Sequence, residues 1–337
     1  MDATRHRPPV AASAARDPVL SHLPVGLFGS ATGVGGLGAA WRLAHAYFGM
    51  PAWISDVLAA VSMLMFVAMA IAYLAKAAIA PQAIRAEWNH PVGGNLFGLL
   101  PIALMLLPIP LAPTLPGLAT SMWAVGALGC LAFTGLRVFG WMRARQRIDT
   151  ALPAWIISVA GPINLPIALP ALGLAERLHE LALFALAVGL FFGVLVFALV
   201  FSRLLFEAPP PDEALPALLI LTAPFTIGYS ACPIVFGSSA SFAQCLLMVG
   251  LFLVCVLIAL LRHLPSCCPF RVSWWAVSFP LAAATVAALR FAQAMPNLVN
   301  QCVAALLLGI TTLIVLALMI RTLRGLLRGE LRHLIGA

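Results

Sequence analysis

The stretch SWWAVSFPLAAATVAALR at residues 273–290 decides how the chain is read. It is about as long and apolar as a bilayer span, which needs about 20 helical residues to cross a core of about 30 Å. Yet Pro280 sits inside it, directly behind Phe279. A proline within a helix removes the bond to the carbonyl four residues back, here that of Ala276. Interrupted backbone at membrane depth is tolerated where protein packs over it or where it faces a wet cavity. The stretch therefore predicts a span turned inward, with Phe279 beside its break.

The rest of the chain extends that reading. Of 337 residues, 63% are apolar and 9% charged, and the mean hydropathy of +1.04 lies far outside the range of a soluble domain. Ten apolar runs of span length follow one another: 23–47, 55–79, 95–112, 117–141, 153–173, 180–206, 214–236, 239–263, 273–294 and 298–322. The expected organisation is a polar, basic N-terminal tail at 1–20, an all-α ten-helix transmembrane domain at 21–325 and a C-terminal tail at 326–337. All basic residues except Arg42, Arg177 and Arg290 fall on one side of that partition, so both termini are placed in the cytoplasm.

Proline sorts the spans into two classes. The odd ones carry Pro24 at the very start of the first, Pro101, Pro162, Pro224 and Pro280, several with further prolines; the even ones carry none. The first span is loosened instead by the glycines of GLFGSATGVGGLG. The pattern predicts five hairpins, each pairing a broken helix with a straight one, with the broken helices as an inner ring around a path; the alternative is that the prolines only shape helix packing. Pro101 and Pro224 would free the carbonyls of Phe97 and Ile220 there, as Pro280 frees that of Ala276.

Several function classes find no residues to support them. No Asp or Glu lies near the middle of any span, and His22, His45, His90, His179 and His263 fall near span ends, so a proton-coupled carrier lacks its titratable group. No motif of a metalloprotease, serine hydrolase or P-loop enzyme occurs, and the glycines at 33–38 lack the context of a dinucleotide site. The seven cysteines lack metal-binding spacing and read as small core residues; no metal or cofactor is expected. The net charge of +8 is spread between the spans, which fits membrane topology rather than nucleic acid. What remains suits an anion path. Amide groups at the starts of half-helices, and arginines at the mouth, would supply a positive field without a tight partner. Phe279 would be either a side chain packed between helices or an apolar constriction that blocks by size and dewetting.

The run WWAVSFPLAAATVAAL resembles the ninth helix of the tellurite-resistance/C4-dicarboxylate transporter family, which includes bacterial tellurite-resistance membrane proteins, fungal malic-acid permeases and plant slow-type anion channels. LPVGLFG at 23–29, ISDVL at 54–58, AEWNHPV at 86–92 and GLRV at 135–138 resemble further family segments in the same order. The resemblance implies ten helices in five hairpins with quasi-fivefold symmetry, odd helices lining the pore, usually in a homotrimer whose subunits each hold a pore. It implies that Phe279 occludes the pore and that Phe28 lines it nearby. Phe225 and the break prolines Pro101, Pro162, Pro224 and Pro280 are placed with them. The partners implied are the lipid bilayer of a bacterial inner membrane and small inorganic or organic anions. Three readings follow: a passive anion channel gated by Phe279, a secondary transporter or exporter of dicarboxylates, sulfite or tellurite-related oxyanions, and a non-transporting assembly partner. Flux sensitive to voltage but not to a pH gradient would favour the first.

Overall fold

A computed structural model describes residues 22–237, 241–262 and 270–328. Most of the two expected tails, together with His263, Cys267 and Cys268, lies outside the described residues.

Every described element is helical. The long ones are α1 (Phe28–Phe48), α2 (Ala52–Ile79), α3 (Gly93–Leu111), α4 (Pro116–Arg143), α5 (Ala154–Leu172), α6 (His179–Phe206), α7 (Ala214–Phe236), α8 (Ser241–Leu261), α9 (Val272–Ala294) and α10 (Leu298–Leu327). Among the described residues, nine of these, α2 to α10, are long and apolar enough to cross a membrane. Helix α1 is 21 residues long but rich in glycine and carries Arg42, which lowers its hydropathy. A short helix, Pro81–Asn89, joins α2 to α3.

The proline alternation has a backbone counterpart. Each odd element contains or follows a 3₁₀ stretch: Val25–Leu27 before α1, Ile109–Leu111 in α3, Gly161–Ala168 in α5, Asp212–Thr222 in α7 and Val272–Val277 in α9. The even elements run as uninterrupted α-helix. Tightening to i→i+3 bonding lets the chain pass a proline without orphaning a carbonyl. The Phe97 carbonyl accepts from Leu100 N–H at 3.3 Å, and that of Ile220 accepts from Ala223 N–H. The carbonyls expected to be freed at Pro101 and Pro224 are thus bonded within their own segments.

Burial separates the same two classes. In the most apolar part of α3, α5, α7 and α9, between 56% and 89% of residues are buried; in α2, α4, α6, α8 and α10 the share is 11% to 33%. Side chains such as Leu64, Leu128, Phe191, Phe252 and Leu313 stand exposed on the straight helices, the pattern of a lipid-facing surface. Each broken element packs on the straight one that follows it: α1 on α2, α3 on α4, α5 on α6, α7 on α8 and α9 on α10. The broken elements also pack on one another in a closed cycle, α1 to α3 to α5 to α7 to α9 and back to α1.

Glycines on the straight helices receive the irregular inner ones. A Cβ at Gly126 would come 2.8 Å from the Pro101 carbonyl, and one at Gly193 would come 3.2 Å from the Pro224 ring. Without a strong hydrophobic drive between helices in lipid, such close backbone approach supplies the packing energy. The cysteines divide: Cys130 and Cys232 are buried, whereas Cys245, Cys255 and Cys302 are exposed on α8 and α10, so the expectation of core positions fails for those three.

Candidate functional site: two cavities joined at Phe279

Two cavities lie end to end inside the cycle. The first, of about 480 Å³, is lined by all five broken segments and by none of α2, α4, α6, α8 or α10. The second, of about 350 Å³, is lined by the same five segments and by three small residues of α2, Ser55, Ala59 and Ser62. The two share three wall residues, Asn164 of α5, Ile227 of α7 and Phe279 of α9. These form the neck between them.

The walls follow helical spacing. On α9 the lining residues include Ala276, Phe279, Ala283, Val286 and Arg290, and on α7 they include Ile220, Ala223, Ile227, Ser230 and Ile234. Steps of three and four keep a residue on one face of a helix, so one continuous stripe on each element runs through the neck. On α1 the stripe is Gly29, Thr32, Gly36 and Ala39. Small side chains there leave the space that the cavities occupy.

Glycine also brings α1 against the segment that carries Phe279. A Cβ at Gly33 would collide with the Ser278 side chain, and one at Gly36 would come 2.8 Å from the Ala282 Cβ. The Ser278 hydroxyl is held by the Trp275 carbonyl at 2.7 Å, and the Trp275 indole N–H donates to Thr322 Oγ1 on α10 at 3.0 Å. Phe279 is therefore half-buried on a firmly seated turn, with its ring bordering both cavities.

The neck is not wholly apolar. Asn164 is 1% exposed; its Nδ2 donates to the Gly161 carbonyl at 3.0 Å, while its Oδ1 has no partner. The ionised residues on the cavity walls are arginines. Arg271 and His90 line the first cavity, Arg42 and Arg290 the second, and among the described residues no carboxylate lines either. Arg290 donates from Nη1 to the Ser230 carbonyl at 3.0 Å. Arg42 lies 3.5 Å from the exposed Asp56, which tempers its field.

Of the residues expected on the path, Phe279 and Pro280 border a cavity. Five others line neither. Phe28, one position from Gly29 and so about 100° around the helix, turns outward against Phe66 and Tyr73 of α2. Phe225 lies two positions from Ile227, on the opposite face, and packs edge-on against Phe197 of α6. Pro101 and Pro224 face the glycine notches of α4 and α6, and Pro162 is buried outside both cavities. A proline ring lacks an N–H and fits a notch, so Pro101, Pro162 and Pro224 mark the inner helices without lining either cavity. The expected half-helix amides are also corrected, because the 3₁₀ stretches of α7 and α9 pass straight into α-helix at Ala223 and Ser278 with helical dihedrals at the junction and leave no free N-terminus there. The positive charge on the cavity walls belongs to arginine side chains instead.

Sequence reasoning missed Asn164, Ile227 and Arg290 as cavity-wall residues. A polar Asn amid GPINLPIA, and Arg42 and Arg290 as exceptions to the basic partition, were the available signals. It also missed an ionic cluster beside the first cavity. Lys76 Nζ lies 2.7 Å from Glu87 Oε2 and donates to the Leu23 carbonyl at 2.7 Å. Glu87 further accepts from Val25 N–H at 2.5 Å and from the Tyr73 hydroxyl at 3.0 Å. The helix Pro81–Asn89 thereby pins the segment that leads into α1, whose Pro24 and Gly26 line the cavity.

The family model described as "SLAC1: Voltage-dependent anion channel" matches residues 22–323. The S-type anion channel SLAH3 of Arabidopsis thaliana is 28% identical over 315 residues, covering 91% of this chain and 49% of that one. The guard cell S-type anion channel SLAC1 of the same plant is 26% identical over 318 residues, 91% of this chain and 56% of that one. The tellurite resistance protein TehA homolog of Haemophilus influenzae is 32% identical over 116 residues, 34% of this chain and 35% of that one. The chain spans about half the length of the plant relatives it matches.

Proposed function

Because the chain belongs to the SLAC1 voltage-dependent anion channel family, we propose that it conducts small anions through its two end-to-end cavities, with Phe279 as the gate between them. The observation that carries this reading is the neck itself: five broken segments enclose both cavities, and a phenyl ring borders each. A ring in a narrow apolar neck excludes a hydrated ion by size and by drying the constriction. Asn164 offers water a polar foothold there once the ring swings aside.

The electrostatics favour anions. A single positive charge at about 6 Å, with an effective dielectric of about 20, attracts an anion by roughly 3 kcal/mol. Arg290 and Arg42 supply such charge on one side of the neck, and Arg271 on the other. Conduction also requires release. Arg290 spends one donor on Ser230 and Arg42 is near Asp56, so neither is a bare trap. In this reading the protein is a homotrimer in a bacterial inner membrane, with quasi-fivefold subunits, a path in each and both termini cytoplasmic. The relevant experiment is bilayer recording of Phe279→Ala beside the unchanged protein. Anion current rising many-fold in the variant supports the gate; equal, negligible current in both removes it.

One feature favours a second reading, a carrier for dicarboxylates, sulfite or tellurite-related oxyanions. Each cavity is large enough for a small organic anion, and the neck separates them as alternating access demands. Proteoliposome flux that saturates and exchanges one anion for another would support the carrier.

A further inference from the structure

A third cavity, of about 420 Å³, lies away from the neck, at the end of α4. Its wall includes Arg137, Arg145, Arg147, Trp88, Trp155 and His90. Two buried N–H donors among the described residues that find no acceptor, Arg137 Nε and the Trp155 indole nitrogen, belong to this wall. A buried donor without an acceptor is costly, and native structures seldom leave one without a reason.

The surroundings hold those donors in place. The Arg137 guanidinium stacks 4.4 Å from the Trp88 ring and also donates from Nη2 to the Gly94 carbonyl. Trp155 stacks on Trp141 with ring centroids 4.7 Å apart. The His90 Nδ1 accepts from the N–H groups of Val92 at 3.2 Å and Gly93 at 3.1 Å, so in the neutral ring the proton sits on Nε2. Arg147 is paired with Asp149 through two hydrogen bonds of 3.1 and 2.7 Å, which leaves Arg137 and Arg145 as the uncompensated charge on the wall.

We propose that this cavity binds a phosphoryl group, with the guanidinium groups of Arg137 and Arg145 and the Trp155 indole N–H as its donors. Planar guanidinium forks suit the several oxygens of a phosphate, and charge-assisted bonds to it are the strong kind. A halide would leave most of the volume empty and most donors unused. Both orphaned donors belong to residues of this wall, and in this proposal a phosphate oxygen supplies the acceptor that each lacks. The site is distinct from the neck, although His90 stands in the walls of both this cavity and the first.

The phosphoryl group comes either from a soluble phosphate or from a lipid headgroup, and one experiment separates the sources. The full chain, in nanodiscs of phosphatidylcholine, is titrated with inorganic phosphate and with glycerol 3-phosphate. In parallel, nanodiscs are prepared with a tenth of the lipid as phosphatidic acid. Tryptophan fluorescence and the thermal midpoint are read in each arm. Saturable stabilisation by the water-soluble probes identifies a free phosphate, and stabilisation by phosphatidic acid alone identifies a headgroup. Trp155→Phe keeps the stack on Trp141 and removes only the donor, and Arg145→Gln changes an exposed side chain. Each should weaken the response about tenfold, the loss of one charge-assisted bond. No response to any probe, or an undiminished response in both variants, overturns the proposal.

Discussion

Replacing Glu87 with Gln should loosen the start of α1 by a measurable amount. The carboxylate lies 2.7 Å from Lys76 Nζ, with the two side chains only 14% and 3% exposed. At that distance and an effective dielectric of about 20, the attraction is roughly 6 kcal/mol before desolvation. Removing one partner of a buried pair costs about 3–5 kcal/mol, because the other charge stays behind. Lys76 retains the Leu23 carbonyl, and Gln retains neutral bonds to Val25 or Tyr73, so the lower end, about 3 kcal/mol, is expected for Glu87→Gln. Lys76→Met should cost somewhat less, about 2 kcal/mol, since the carboxylate keeps two donors. In the double variant no charge is stranded, so its cost should fall about 2 kcal/mol short of the sum. Reversible unfolding of the four proteins in mixed detergent micelles measures this cycle. Single losses below about 1 kcal/mol that simply add would refute the claim that this pair pins the entrance.

Other changes act on the seating of the neck. Gly33→Ala forces α1 off the turn at Ser278 and should cost about 1–3 kcal/mol by overpacking while raising basal anion current through a displaced Phe279; unfolding and bilayer recording read the two effects. Trp275→Phe removes the bond to Thr322 and should cost about 1 kcal/mol, measured by the same unfolding assay. Arg290→Gln withdraws roughly 2 kcal/mol of attraction at about 8 Å. It should lower anion conductance several-fold at low salt and less at high salt, and a current indifferent to the change would exclude Arg290 from the path.

The architecture was legible because proline and glycine leave plain marks. Five apolar runs carry breakers and five do not; the elements formed by the first group pack on one another, and four of them are more buried than the straight helices. The path through them was harder to read. Phe28 and Phe225 are aromatic and sit on inner helices, but the face a side chain takes is fixed by angle, and both lie off the 3–4 stripe that passes through Gly29 and Ile227. The same stripe, stepped forward from Phe279 by 4, 3 and 4, reaches Arg290. It could have been drawn from the sequence alone. The Lys76–Glu87 pair and the third cavity could not, because they depend on how the short helix Pro81–Asn89 folds back beneath α1.

The most direct measurement of the central claim is the reversal potential of the Phe279→Ala protein in a planar bilayer under a tenfold KCl gradient. If an arginine-lined path closed by that ring runs through each subunit, removing the ring gives a steady current. It should reverse near the chloride equilibrium potential, whose magnitude is about 59 mV for a tenfold ratio of a monovalent ion. A current that reverses near zero or toward potassium, or the absence of any current, contradicts it.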